Sequence, residues 1–236
     1  MFSSLIASHH CIRAATLALL LTGLNAQAAS WSENFNTVLP TGWTATNNSV
    51  ALGSESWFQG NVGIFSAQAG AANSYAAANL NSAGGSSPST ISNWLITPSF
   101  SYASGDMLSF WTRTETGSAF ADRLEVRFSA VGGINVGSFE TSVGDFSNLL
   151  LTVNPSFTAT GYPDAWTKFS VALPSAATGA FAFRYYVTDA GPSGNNSNYI
   201  GIDSVAVTAV PEPATYLLAV MGLGVIGLRR RQITGR

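Results

Sequence analysis

Short runs of alternating apolar and polar residues recur along most of this chain, cut by clusters of Gly, Pro, Asn and Ser. A sequence patterned in that way is built for strands. The clearest run is Leu124-Glu125-Val126-Arg127-Phe128-Ser129, which puts Leu124, Val126 and Phe128 on one face. Residues 108–113, 166–171, 181–187 and 200–207 have the same character. Turn clusters separate them at 82–88, 131–133 and 190–196, where Gly, Pro and Asn supply backbone angles that other residues resist. No apolar period of 3.6 residues is sustained between the two ends, and no internal repeat is visible. The pattern predicts an all-β domain over residues 30–209, a sandwich or jelly roll, with Trp94 and Trp111 in its core. Asp122, Glu125 and Arg127 interleave with apolar residues and read as a solvated strand face. Asp106 and Asp145, each after a glycine, read as turn residues.

The two ends differ from this middle. One charge, Arg13, precedes an apolar run from Ala14 to Leu24, and Asn25-Ala26-Gln27-Ala28-Ala29 follows. That order of charge, apolar run and small residues predicts a signal peptide over 1–29, cut after Ala28 or Ala29. At the other end Val210-Pro211-Glu212-Pro213 leads into an apolar segment, Leu217 to Leu228, and then Arg229-Arg230-Arg231. As a helix, residues 214–228 would measure about 22 Å against a hydrocarbon core of about 30 Å. The arginines would hold the far end in the cytoplasm. This tail, 210–236, resembles the PEP-CTERM sorting signal of Gram-negative bacteria. The resemblance implies that an exosortase-type membrane enzyme reads Pro211, Glu212 and Pro213 and removes the tail, Arg229, Arg230 and Arg231 included. It further implies a bacterium that makes exopolysaccharide. The protein is then secreted, tethered for a time to the inner membrane, and finally placed at the cell surface or outside the cell.

Charge and residue types narrow the chemistry. Between Ser30 and Pro211 stand five basic and eleven acidic side chains, a net charge of −6. Without a basic patch a nucleic-acid partner is not expected. The one cysteine, Cys11, and both histidines, His9 and His10, precede the expected cleavage site. The mature chain therefore has no disulfide, no thiolate or imidazole metal ligand, and no Cys or His for nucleophilic catalysis. Nothing in the spacing of the carboxylates singles out a glycosidase pair. The expectation is a protein that is not an enzyme, with no catalytic residues. Its role is structural or adhesive in an exopolysaccharide matrix, or else that of a carbohydrate-binding module, with a polysaccharide-active hydrolase or lyase as the third alternative. Trp57, in a polar and less periodic stretch, is the candidate exposed aromatic for stacking on a sugar, with Asn195 and Asn196 as further glycan contacts.

The middle also resembles the choice-of-anchor J domain. The resemblance rests on Trp31-Ser32-Glu33-Asn34-Phe35-Asn36 with Leu39-Pro40-Thr41-Gly42-Trp43, and on Ser92-Asn93-Trp94-Leu95-Ile96-Thr97-Pro98. Asp122 to Arg127, Phe183 to Val187 and the closing Asn198-Tyr199-Ile200-Gly201-Ile202-Asp203-Ser204-Val205 extend it over nearly the whole middle. It implies a fold similar to cleaved-adhesin and MAM-type jelly rolls, with no shared enzymatic activity. It also implies a calcium ion where first and last strands meet, with Glu33 and Asp203 as its carboxylates. Asp203 interrupts an apolar run, and a carboxylate there needs a partner or an ion.

Overall fold

The computed structural model describes residues 30–210, and these form a sandwich of two antiparallel sheets. The signal peptide and the sorting tail expected from the sequence lie outside the described residues. The first sheet runs β10 (Thr167–Ala172), β7 (Met107–Thr114), β12 (Tyr199–Thr208), β4 (Ala76–Asn79), β3 (Phe58–Gln59), with β1 (Trp31–Glu33) also on β12. The second runs β2 (Thr44–Asn47), β5 (Ser89–Ile96), β11 (Ala177–Ala190), β8 (Leu124–Ser129), β9 (Asn148–Val153), with β6 (Phe100–Tyr102) also on β11. The only helical turn among the described residues is a short 3-10 segment, Leu80–Ser82.

The two longest strands, β11 and β12, sit at the centre of the two sheets, and along one side of each two strands follow end to end: β6 and β5 on β11, β1 and β4 on β12. β12 pairs with β4 through Tyr199–Ile202 and with β1 through Val205–Val207. A bulge between these stretches, at Asp203 to Ala206, lets the strand change partners, and Ser204 takes a positive φ of 49° there.

Alternation sorts the side chains as the pattern requires. Leu108 and Phe110 of β7, Leu124, Val126 and Phe128 of β8, Phe181, Phe183 and Tyr185 of β11, and Ile200 and Ile202 of β12 fill the space between the sheets. Each sheet also carries a second apolar layer on its outer face. Over the first sheet, Phe58, Phe65, Tyr75, Trp166 and Tyr199 form an aromatic cluster. Gly201 permits it, since a Cβ at that position would stand within 3.0 Å of the Phe65, Trp166 and Tyr75 rings. Over the second sheet, Val136 and Phe146 from the loop after β8 cover Trp94 and Ile96. Asp122, Glu125 and Arg127 therefore do not form one solvated face. Asp122 is fully buried between the sheets against Tyr185 and Thr114, while Glu125 is nearly buried on the outer face, where Arg127 and Arg184 bond to carbonyls of the returning loop.

Candidate functional site

The expected calcium carboxylates lie on neighbouring strands. Glu33 ends β1 and faces Val205 across the ladder, two residues along β12 from Asp203. Glu33 Oε1 accepts the Phe35 amide at 2.7 Å. Asp203, at the bulge, is fully buried. Its Oδ2 accepts the amides of Gln68 (2.8 Å) and Ala69 (3.1 Å), and its Oδ1 accepts that of Ser204 (2.6 Å). Burial raises the pKa of Asp203, and these amide bonds oppose the rise. The partner that a buried carboxylate needs is thus supplied by the 67–70 segment, which also carries Gln68 Oε1, accepting Ser204 Oγ at 2.8 Å. A second set of bonds ties the chain after Glu33 to the same region. Gln59 Nε2 donates to Phe35 O and Asn73 O, and Ser74 Oγ donates to Asn36 Oδ1. Among the described residues no group of three or more His, Cys, Asp or Glu comes together.

Trp57 is not an exposed platform. It is only 5% exposed and packs in the main core. Its neighbours in sequence gave a polar, aperiodic stretch, but the short strand that follows, Phe58–Gln59, turns the indole inward. Asn195 and Asn196 lie in the surface loop between β11 and β12. There Asn195 Nδ2 donates to Asp189 Oδ2 and Asn196 Nδ2 to Thr188 O, so both amides hold the loop in shape.

Two buried polar networks escaped the sequence reading. In one, Asp122 Oδ1 accepts Tyr185 Oη at 2.5 Å and the Asn198 amide at 2.9 Å, and Oδ2 lies 2.8 Å from Thr114 Oγ1. Burial raises the pKa of Asp122, and burial together with the adjacent carboxylate raises that of Tyr185. In the other, Arg184 lies between the rings of Trp94 and Tyr186 and pairs with Glu125, which also holds Arg127. Both networks are closed by protein groups and staple loops onto the sheets. Their sequence signal was a charged residue inside a strand pattern, which is shared with any solvated face.

The two chain ends of the sandwich lie together. Trp31 faces Val207, and the Ala209 amide donates to Ser30 Oγ. The next residue, Val210, donates its amide to Oδ1 of buried Asp106. Among the described residues no helix is long and apolar enough to cross a membrane; the tail that follows Val210 lies beyond them.

Residues 209–232 match the model of the PEP-CTERM protein-sorting motif. No curated protein matches the chain. Among solved structures, the sandwich is similar to cleaved adhesin domains of Lys-gingipain from Porphyromonas gingivalis. For the K1 domain the TM-score is 0.55 at 22% identity, covering 78% of this chain and 99% of that one. The K2 domain gives 0.53 at 21% identity, covering 77% and 99%. The K3 domain gives 0.52 at 21% identity, covering 76% and 98%. At these identities the likeness is one of fold.

Proposed function

We propose that this protein is a surface or extracellular-matrix protein, exported through its signal peptide and sorted by an exosortase-type enzyme. In this reading the 30–209 sandwich is a choice-of-anchor J-like domain that acts by adhesion to exopolysaccharide and not by catalysis. The observation that carries it is the junction at Val210: the sandwich is fastened there by Asp106, and the sorting-motif match begins at residue 209. Folded cargo and processing signal thus abut without a spacer. The test is intact-mass spectrometry of surface protein from the native host. The expected species begins at Ala29 or Ser30 and ends near Pro213. Surface protein that retains Arg231 would replace processing with a plain membrane anchor. Retention on the host's own purified polysaccharide checks the adhesive role, and turnover of that polysaccharide would overturn the non-enzymatic reading.

Calcium at the β1–β12 junction belongs to the same proposal. Glu33 and Asp203 would hold it, with Gln68 and Asn36 nearby as neutral oxygen donors, a set suited to a hard cation. Binding to the folded state alone raises the melting temperature by mass action. Chelator should therefore lower the melting temperature of metal-loaded protein, and Asp203→Asn should abolish that response. An unchanged melting temperature on chelation would reject the site.

A further inference from the structure

The end of the sandwich from which the tail departs is unlike the rest of its surface. It is formed by residues 30–32, the β6–β7 turn within 98–107, the turn after β8 within 129–134, the β10–β11 turn within 172–180, and residues 207–210. The pairings Trp31 with Val207, Met107 with Thr208, Ser101 with Thr178 and Ser129 with Ala180 bring these segments to one end. They contain one acidic or basic side chain between them, Asp106, and it is fully buried. Asp145, beside the Gly133 turn, spends Oδ2 on the Asn135 amide. The apolar side chains here are open instead: Val131 is 74% exposed, Val210 46%, and Phe100 and Met107 37% each. Half-buried Trp31 lies with its ring 6.1 Å from that of Phe100. The opposite end carries Arg113, Glu115, Arg123, Asp164 and Asp189.

Only six residues separate Val210 from Leu217, where the apolar span begins. Even fully extended, the seven steps between them reach at most about 25 Å. β12, ten residues long, spans about 33 Å. While the span is in the bilayer, the tail-exit end is therefore the end held beside it, and the charged end points away. A domain of net charge −6 is repelled by an anionic leaflet wherever its charges face it. The uncharged end avoids that repulsion, and an aromatic with open aliphatic neighbours suits the headgroup boundary.

We infer that this end, with Trp31, Phe100, Met107, Val131 and Val210, is a lipid-contacting face that seats the domain on the bilayer surface before the tail is cut. The inference rests on the tail acting as the membrane tether in the proposed function. Seating fixes the Pro211-Glu212-Pro213 segment at the level of the headgroups, within reach of a membrane-embedded enzyme.

The test uses the full chain with Cys11→Ser and one new cysteine, Ser104→Cys at the tail-exit end or Ser193→Cys at the other. Each is labelled with an environment-sensitive dye and reconstituted into phosphatidylethanolamine–phosphatidylglycerol vesicles with brominated acyl chains. The expected result is quenching several-fold stronger at 104 than at 193. It should be lost in Phe100→Ser/Met107→Ser/Val131→Ser while that chain still floats with the vesicles. Equal quenching at both positions in floating protein overturns the seating and leaves the tether intact, as does quenching at 104 unaffected by the triple change. Cross-linking between copies through 104 without quenching assigns the face to a second copy and likewise overturns it. Protein that does not float with vesicles defeats the tether itself, and the seating with it.

Discussion

The amide of Val210 donates to Asp106 Oδ1 at 3.0 Å, and Asp106 Oδ2 accepts the Ala103 amide at 2.8 Å. One buried carboxylate thus closes the β6–β7 turn and fastens the last residue before Pro211. Asp106→Ala leaves both amides without that acceptor at a site only partly shielded from water, since Val210 is 46% exposed. A loss of about 1–3 kcal/mol follows for two hydrogen bonds to one carboxylate. Amide exchange at Ala209 and Val210 should accelerate more than exchange in the middle of β12. Uniform acceleration along β12 would mean that Asp106 supports the sheet generally and not the junction.

Asp122 gives the fold a pH dependence of defined sign. Thr114 Oγ1 has a single proton yet lies within bonding distance of both Asp122 Oδ2 and Tyr199 O. A protonated Oδ2 that donates to Thr114, while Thr114 donates to Tyr199 O, satisfies all three groups. The folded-state pKa is raised by burial. The stabilisation from the protonated form is therefore fully present below the unfolded value of about 3.9, and it is lost as pH rises through the folded pKa. In Asp122→Asn the amide NH₂ takes the place of that hydroxyl and the carbonyl still accepts from Tyr185 and Asn198. The variant should gain on the native chain as pH rises from 4 to 8 in urea titrations. A native chain that gains on the variant over this range would reverse the assignment.

Arg184 is buried with Glu125 as its charged partner, its guanidinium 3.9 Å from the centre of the Tyr186 ring. It also donates to Glu140 O in the covering loop and, through Nε, to Ser92 Oγ. Arg184→Ala removes the cation, the stacking and the loop tether together. Breaking a buried pair from one side costs about 3–5 kcal/mol. Thermal melts should show that loss, with proteolysis focused on 131–146. Arg184→Met should recover part of it, since the longer side chain refills the space beside Trp94 and Tyr186 while Glu125 stays paired with Arg127. No recovery would place the cost in the lost cation and loop tether.

What the sequence disclosed follows from how each element is buried. β7, β8, β10, β11 and β12 were readable because each has a core face and a distinct other face. β4 was not, since Ala76-Ala77-Ala78 is buried on both sides and alternates in nothing but orientation. β9 was missed because Leu149-Leu150-Leu151 at the sheet edge is a continuous apolar run that is only partly covered. The pairing of Glu33 with the Asp203 region was reachable through the resemblance. Asp203's actual partners, the amides of Gln68 and Ala69, were not, because backbone donors leave no mark on a sequence. Glu125 was misplaced for a related reason: alternation shows which residues share a face, and a loop arriving from elsewhere decides whether that face meets water. Asp122 is in phase with Leu124 and Val126, and its place between the sheets depends on the Tyr185 and Thr114 partners that the strand pattern does not show.

Trp57 tests the same distinction between polarity of neighbours and burial. Its indole is in the main core, yet Nε1 is buried with no hydrogen-bond partner among the described residues. An unpartnered buried donor destabilises, so the native residue carries a defect that phenylalanine lacks. Trp57→Phe removes the orphan N–H but leaves a smaller ring, and the two effects oppose each other. The expected cost is below about 1.5 kcal/mol, the range of tolerated apolar exchanges. Trp57→Ala should cost about 3–5 kcal/mol, as for large aromatic deletions in cores. Retention on exopolysaccharide should be unchanged in Trp57→Phe, since the ring does not reach the surface. Urea titration and affinity electrophoresis on the same preparations separate the cases. A Trp57→Phe protein with native stability and lost retention would return the indole to a sugar-stacking role and require this segment to open in solution.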